Sequence, residues 1–339
     1  MNDTEVKEAL RGYALTSGID MLGFANIDRF ENAPDEFHPR NIYPHTKTVI
    51  VLGIRVLRGL MESLDEGMHI PYNAHGYGGI NEWFMRDARQ KVACWLEDLG
   101  HSAVPVIQWT GTPHQEPIMC HRTAAVAAGL GEVGWSKILL TKKFGPLQRF
   151  GIVLTDADLP SDPLQVGQIC DKCMACVRGC PGGAISRKEG VTVTIEGVPV
   201  THAKVDMFQC TRAHHGGIKA THPRPPADFD TAAIDKKYEE LRKNVKDETE
   251  AYRLGCAAAG EVQAKYPHAL FGLVGNLTKS CAYCGAAGCF RACLEHLEAR
   301  GLLDRQFVNQ YRAVQGKDSA KPACQKAVRQ AGGEEVYTE

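Results

Sequence analysis

Cys170-Asp171-Lys172-Cys173-Met174-Ala175-Cys176-Val177-Arg178-Gly179-Cys180-Pro181 reads C-x2-C-x2-C-x3-C-P. Three closely spaced thiols on one tight loop reach three irons of a single cubane. The fourth projects from the following turn toward a second cluster. Thiolates suit iron's soft bonding and offset the charge of the core. The spacing therefore predicts a [4Fe–4S] site in the second half of the chain.

A second group, Cys281, Cys284, Cys289 and Cys293, is spaced C-x2-C-x4-C-x3-C and is followed by Leu294 rather than Pro. If the fourth thiol of each group crosses to the other cluster, Cys293 joins Cys170, Cys173 and Cys176. Cys180 then joins three of Cys210, Cys281, Cys284 and Cys289, and the spacing alone does not choose the spare. Of the 13 cysteines, Cys94, Cys120, Cys256 and Cys324 stand alone. Isolated cysteines are expected to pack as small hydrophobes. Cys94 is expected on the apolar face of its helix. Cys120 adjoins His121 and Arg122, which would favour its thiolate.

The rest of the composition narrows the class. Lys and Arg total 39 against 40 Asp and Glu, a net charge of -1 over 339 residues, so no bulk positive field drives nucleic-acid binding. Hydrophobic residues at 44% and charged residues at 23% exclude global disorder. Residues 1–19 are polar and acidic, without a basic n-region or an apolar h-region, and no apolar run reaches transmembrane length. Clustered cysteines in such a chain read as a cytoplasmic metal protein rather than a disulfide scaffold.

Upstream of the cysteines, hydrophobic periodicity predicts helices alternating with strands. Residues 3–17 have helical spacing of Val6, Leu10, Tyr13 and Leu15, with Asp3 or Thr4 as cap. Strands are expected over 19–27, 48–56, 103–108, 138–141 and 150–155. Residues 72–79 (YNAHGYGG) read as a Gly-rich loop, followed by a helix over 80–99 with Phe84, Ala88, Val92, Trp95 and Leu96 on one face. Residues 118–129 are Ala-rich and expected helical. The run 156–163 (DADLPSDP) is a natural boundary. Between the cysteine groups, 222–226 read as a linker and 232–252 as one charged, exposed helix.

Roughly 165 residues precede the first cysteine motif, too many for an electron carrier alone. Several short motifs lie there in order: Tyr43-Pro44 before the strand at 49–53, Leu99-Gly100 closing a helix, Ala128-Gly129-Leu130-Gly131-Glu132, Gly145-Pro146 with Arg149, Thr155-Asp156 and Leu159-Pro160. Asp206 and Cys210 follow the first cysteine motif. In these motifs the chain resembles the corrinoid iron–sulfur reductases, the superfamily of reductive dehalogenases and epoxyqueuosine reductases. The likeness covers about residues 20–210 and resumes near Cys281.

The resemblance implies an α+β chain: a nitroreductase-like α/β cobalamin-binding domain (1–163), then a ferredoxin-like module with two [4Fe–4S] clusters (164–300). That module carries a helical insert at about 211–280, and a C-terminal extension (301–339) follows. Cobalamin would be bound base-off, and the chain lacks an Asp-x-His-x-x-Gly motif. The implied activity is reductive cleavage of a carbon–heteroatom bond in a small organic substrate, in an oxygen-sensitive enzyme. A low-potential donor such as ferredoxin or flavodoxin would supply electrons. A homodimer is a further expectation, and a membrane partner is not.

Tyr77 is the best counterpart of the dehalogenase proton donor, with Tyr72 next, and Lys137 is a candidate substrate contact. Tyr72, Gly129, Gly131 and Trp135 are expected beside the cofactor. Ser102 stands where dehalogenases carry Asn, and Trp135 where they carry Arg and epoxyqueuosine reductases carry Lys. Gln115 or Glu116 stands in place of the epoxyqueuosine reductase Asp. The missing Asp and the near-neutral charge argue against epoxyqueuosine reduction in tRNA. A non-catalytic electron-transfer or corrinoid-handling protein is the other alternative. His75, His121, Arg122 and the pair His214-His215 are further polar residues near these motifs.

Overall fold

The computed structural model describes residues 1–107, 119–223, 225–267, 282–284 and 288–309. Its centre is a sheet of β1 (Met21–Asn26), β2 (Thr48–Arg55), β3 (Ala103–Val106) and β6 (Gln148–Thr155), ordered β1-β2-β6-β3. Every pairing is antiparallel, with Val51 opposite both Gly23 and Ile152. β2 has apolar residues on both faces because both are covered. Alternation by two sends Val49 and Val51 to one core and Ile50 and Leu52 to the other.

On the second face lie α1 (Asp3–Thr16) and α4 (Met85–Glu97). α1 buries Val6, Leu10 and Ala14, while Leu15 is exposed; a helical turn of 3.6 residues carries it off the face. Its cap is Asn2, not Asp3 or Thr4: the Asn2 side chain accepts from Glu5 N–H and the Glu5 carboxylate accepts from Asn2 N–H, a reciprocal capping box. α4 buries Met85, Ala88, Val92 and Leu96. Phe84 and Cys94, expected on that face, are exposed: Cys94 lies roughly opposite the 85–88–92–96 stripe, and Phe84 ends the preceding π-helical turn, outside the regular period of α4.

Residues 72–79 are helical rather than a loop. After α2 (Arg58–Asp65) and α3 (His69–Tyr72) come two π-helical turns, Asn73–Tyr77 and Ile80–Phe84, which run into α4. Gly79 makes this possible: a Cβ there would lie 1.7 Å from the carbonyl oxygen of Ala74. Glycine thus serves close packing within a wide helix here, a geometry common at functional sites.

The other face carries α5 (His121–Ala127), whose alanines allow close approach to the sheet, then the short pair β4 (Glu132–Val133) and β5 (Leu139–Leu140). The same core continues into Ile169, Ile195, Val200, Phe290, Leu294 and Leu297, so the cysteine-rich half packs directly against it.

After α6 (Ala175–Arg178) comes a hairpin that periodicity did not single out, β7 (Ile185–Ile195) and β8 (Val198–Val205). Its two-residue turn, Glu196-Gly197, has positive φ at both positions, as a turn matched to strand twist requires. α7 (Met207–His214) follows, capped by Asp206. The expected helix over 232–252 is two helices, α8 (Ala232–Arg242) and α9 (Glu248–Lys265). The break falls where the Asp247 carboxylate caps α9 by accepting from Glu250 N–H. These helices are not simply solvated: Tyr238 is buried on Phe208, and Gly255 meets the Phe208 carbonyl so closely that a Cβ would lie 2.7 Å away. The last described helix is α10 (Cys289–Ala299). No described helix is long and apolar enough to cross a membrane.

Candidate redox site

Two pairs of cysteines four residues apart organise the site. α6 carries Cys176, with Cys180 just beyond its end, and α10 carries Cys289 and Cys293. One helical turn separates the members of each pair, so each segment supplies one thiol to either of two adjoining groups.

Cys170, Cys173, Cys176 and Cys293 line one small cavity, together with Trp135, Lys172, Met174 and His296. Lys172 and Met174, between the cysteines, adopt left-handed φ of 55° and 60°. That conformation is costly for non-glycine residues and wraps the loop around the thiols. Trp135 N–H donates to Cys170 Sγ at 3.4 Å, the kind of contact that tunes a cluster thiolate.

In the first group, burial and then Cys170 and Cys173 push the Cys176 thiol up to about 11. Burial, and then Cys170, Cys176 and Cys173, push Cys293 far above the usual thiol range.

The second group is Cys180, Cys210, Cys284 and Cys289. Burial, and then the negative charges of Cys210, Cys180 and Cys176, push Cys289 up to about 12. Cys284 is pushed well up by burial, then by Cys289, Cys210 and Cys180, and Cys210 is raised by burial and by Cys180. Ala184 N–H donates to Cys180 Sγ at 3.3 Å. Cys281 lies outside the described residues, as do Gln115, Glu116 and Cys324.

Four mutually repelling thiolates in a buried pocket are stable only when a positive core sits between them. Both groups therefore have the donor set and electrostatics that a [4Fe–4S] core satisfies.

Glu132 fixes the entry to the first group. Its buried carboxylate accepts from the backbone N–H groups of Gln168 at 2.6 Å, Ile169 at 3.0 Å and Cys170 at 2.6 Å. Glu132→Ala leaves those three donors without the carboxylate, the buried Ile169 N–H among them. We expect a loss of about 3 kcal/mol or more in denaturant unfolding. Selective loss of the iron held by the first group should accompany it; full iron retention would show that the loop holds its shape without the carboxylate.

A half-buried polar cluster abuts the second group. α7 places Cys210 and His214 one turn apart on the same face. His214 Nδ1 lies 4.0 Å from Cys284 Sγ, and its Nε2 is 2.9 Å from the Tyr77 hydroxyl. Burial, then the positive charges of His215, Arg149 and Arg122, hold His214 well below its usual range, so it is neutral. The main chain pins this arrangement: Tyr283 N–H donates to the His214 carbonyl at 2.8 Å, and Ala282 N–H to the Asn73 side chain at 2.8 Å.

Arg149 on β6 organises the tyrosines. It donates to the Gly76 carbonyl at 3.1 Å and to the Tyr72 hydroxyl at 3.0 Å, and lies 5.3 Å from the centre of the Tyr77 ring. Tyr72 is fully buried, and burial raises its pKa despite Arg149.

Other expected residues sit elsewhere. Lys137 pairs with Glu248 at 2.9 Å. Trp135 packs with Cys176, Ile185 and Ala203 beside the first group and donates to the Ser186 carbonyl at 3.0 Å. At Gly129 and Gly131 a Cβ would meet the carbonyl oxygens of Pro163 and Leu140 at 2.5 and 2.1 Å, so both positions serve packing of the chain on itself. His75 is exposed and stacks near Phe84. In the sequence His214 stands out only as half of a His-His pair. Arg149 appeared only within a motif. Neither had a local signal for the partner it finds, although the spacing of Cys210 and His214 hinted at a shared face.

Over 108 residues the chain is 38% identical to the tetrachloroethene reductive dehalogenase of Desulfitobacterium hafniense, covering 31% of this chain and 18% of that protein. Over 210 residues it is 23% identical to the epoxyqueuosine reductase of Staphylococcus aureus, covering 55% of this chain and 53% of that protein. The chain is thus similar in sequence to both reductive dehalogenases and epoxyqueuosine reductases. It spans less than a fifth of the first of these superfamily relatives and about half of the second. A catabolic reductive dehalogenase solved with 3-bromo-4-hydroxybenzoic acid superposes with a TM-score of 0.48 at 19% identity, over 81% of this chain and 37% of that one. No family model matches the chain.

Proposed function

We propose that this chain is a cobalamin-dependent iron–sulfur reductase, similar to reductive dehalogenases, that cleaves a carbon–heteroatom bond of a small organic molecule. The observation that carries the reading is the junction at His214, which touches a thiol of the second group on one side and the Tyr77 hydroxyl on the other. It brings a candidate electron carrier and a candidate proton donor to one partly buried place.

In this reading Cys170, Cys173, Cys176 and Cys293 hold one [4Fe–4S] cluster, and Cys180, Cys210, Cys284 and Cys289 hold the other. Cys281 is the spare. The bound clusters and a low-valent corrinoid would supply one-electron steps and the nucleophilic or reducing centre, chemistry no side chain offers. Two cavities among the described residues, about 230 Å³ beside Arg58 and about 20 Å³ beside Trp135, are each too small for a corrin. Cobalamin is proposed from the superfamily alone.

The net change takes up two electrons and one proton. The carbon–heteroatom bond breaks, the heteroatom leaves as an anion and a carbon–hydrogen bond forms. Tyr77 gives the proton to carbon. Arg149, above its ring, favours the phenolate left behind, and neutral His214 keeps the oxygen in place. Arg149 also ties Tyr72 and Gly76 together, so the π-helical turn cannot carry Tyr77 away. Trp135, Gly129 and Gly131 support the cluster loop. Residues 1–163 form the nitroreductase-like domain and 164–300 the ferredoxin-like module.

The test is anaerobic reconstitution with iron, sulfide and hydroxocobalamin, followed by metal counting and an assay with brominated phenols. We expect about eight irons and about one tightly held cobalt per chain, with halide released. Eight irons with no cobalt and no turnover would leave an electron-transfer protein. Turnover of an epoxyqueuosine-containing tRNA stem-loop instead would change the substrate class.

A further inference from the structure

The reduction above needs electrons from outside, and the surface around the first cysteine group is suited to receive them. We propose that this rim is the docking surface for a small acidic one-electron carrier protein. The proposal rests on the assignment of Cys170, Cys173, Cys176 and Cys293 as cluster ligands.

The second group adjoins Tyr77 and Tyr72 through His214 and Cys284, so it faces the chemistry. The first group lines a small cavity edged by Trp135, exposed Asp171 and exposed Lys172, with Cys173 partly exposed. Four cations surround that edge. Lys172 Nζ sits 5.6 Å from the centre of the Trp135 ring. Arg178 donates to the Cys173 carbonyl at 3.1 Å. The Trp135 indole N–H, bonded to the Ser186 carbonyl, brings the start of β7 to the same rim, and Arg187 and Lys188 follow there, both exposed.

Among the described residues none of these four cations has a carboxylate partner. The nearby acids are already engaged, Asp171 with His296 at 2.8 Å and Arg300 at 3.2 Å, and Glu189 with Lys204 at 3.0 Å. The whole chain carries a net charge of -1, so this patch is not a reflection of bulk basicity. Unpaired cations gathered at the exposed edge of a redox centre steer an acidic partner toward it and raise its on-rate.

The experiment uses cluster-loaded protein and reads cluster bleaching in stopped flow, not substrate turnover. Prereduced flavodoxin is the acidic donor, and reduced methyl viologen is the small control. Arg187→Glu with Lys188→Glu should slow reduction by flavodoxin about tenfold or more at low ionic strength. The difference should vanish toward 1 M salt, where screening acts within about 3 Å. Reduction by methyl viologen and the iron content should stay at wild-type values. If the reversal disturbs iron loading, Arg187→Gln with Lys188→Gln carries the test and should show a smaller loss with the same salt dependence. An unchanged flavodoxin rate, or an equal loss with both donors, would overturn the proposal. So would a tRNA stem-loop that binds the wild-type patch, displaces flavodoxin and is lost in the variant. Absent iron in the wild type would instead reject the ligand assignment on which this rests.

Discussion

Cys210→Ala and Cys284→Ala are each expected to lower iron from about eight to about four per chain after anaerobic reconstitution, while Cys281→Ala keeps about eight. By spacing alone the three are equal candidates. Among the described residues Cys210 lies on α7 with Cys180, Cys284 and Cys289 as electrostatic neighbours, and the proposed ligand set is those four. Removing one thiol from a buried set leaves an iron without its ligand and three crowded thiols whose ionisation burial opposes. Cys293→Ala should remove the other four irons, because Cys170, Cys173 and Cys176 are its charged neighbours. Low-temperature EPR of the reduced variants would show which signal is lost. Retained iron in Cys210→Ala with loss in Cys281→Ala would exchange the two residues in the assignment.

Tyr77→Phe is expected to lower turnover by about 10²- to 10⁴-fold, the range a positioned general acid contributes. The change removes one oxygen and leaves the ring under Arg149, so packing should be kept. Iron content and the rate of cluster reduction should match wild type, which separates a lost proton donor from a misfolded site. Because the Tyr77 oxygen is 2.9 Å from His214 Nε2, the variant also frees that nitrogen, and a modest shift in the second cluster's EPR signal is the expected by-product. Wild-type turnover would remove Tyr77 from the chemistry. Equal loss of iron and activity would make its role architectural.

Much of the scaffold was legible in advance. The strands at β1, β2 and β6 and the helices α1 and α4 follow from runs of β-branched residues and from period-3.6 stripes, which act over one element at a time. Residues 72–79 are helical although their glycines, by local rules, mark a loop. Here Gly79 permits a wide helical turn that no local rule anticipates. The β7–β8 hairpin was missed although Val191, Thr192, Val193, Thr194 and Ile195 alternate before Glu196-Gly197, a turn signal visible in hindsight. The expected single helix at 232–252 broke because Asp247 offers a better start to α9 than continuation offers to α8.

The sequence by itself carries the proposal of cluster chemistry and of ligands that cross between the two groups. Ligand spacing within ten residues is a property of the covalent chain, and a helical turn puts Cys176 with Cys180, and Cys289 with Cys293, one step apart wherever the helices go. Only the tertiary structure decided that Cys210 neighbours Cys180, Cys284 and Cys289, that Glu132 grips the start of the cysteine loop, and that His214 joins Cys284 to Tyr77. Those contacts link residues from about 30 to 140 positions apart. Such separations are closed by α7, α10 and the sheet burying their apolar faces together, and no local spacing encodes which polar groups that burial brings into reach.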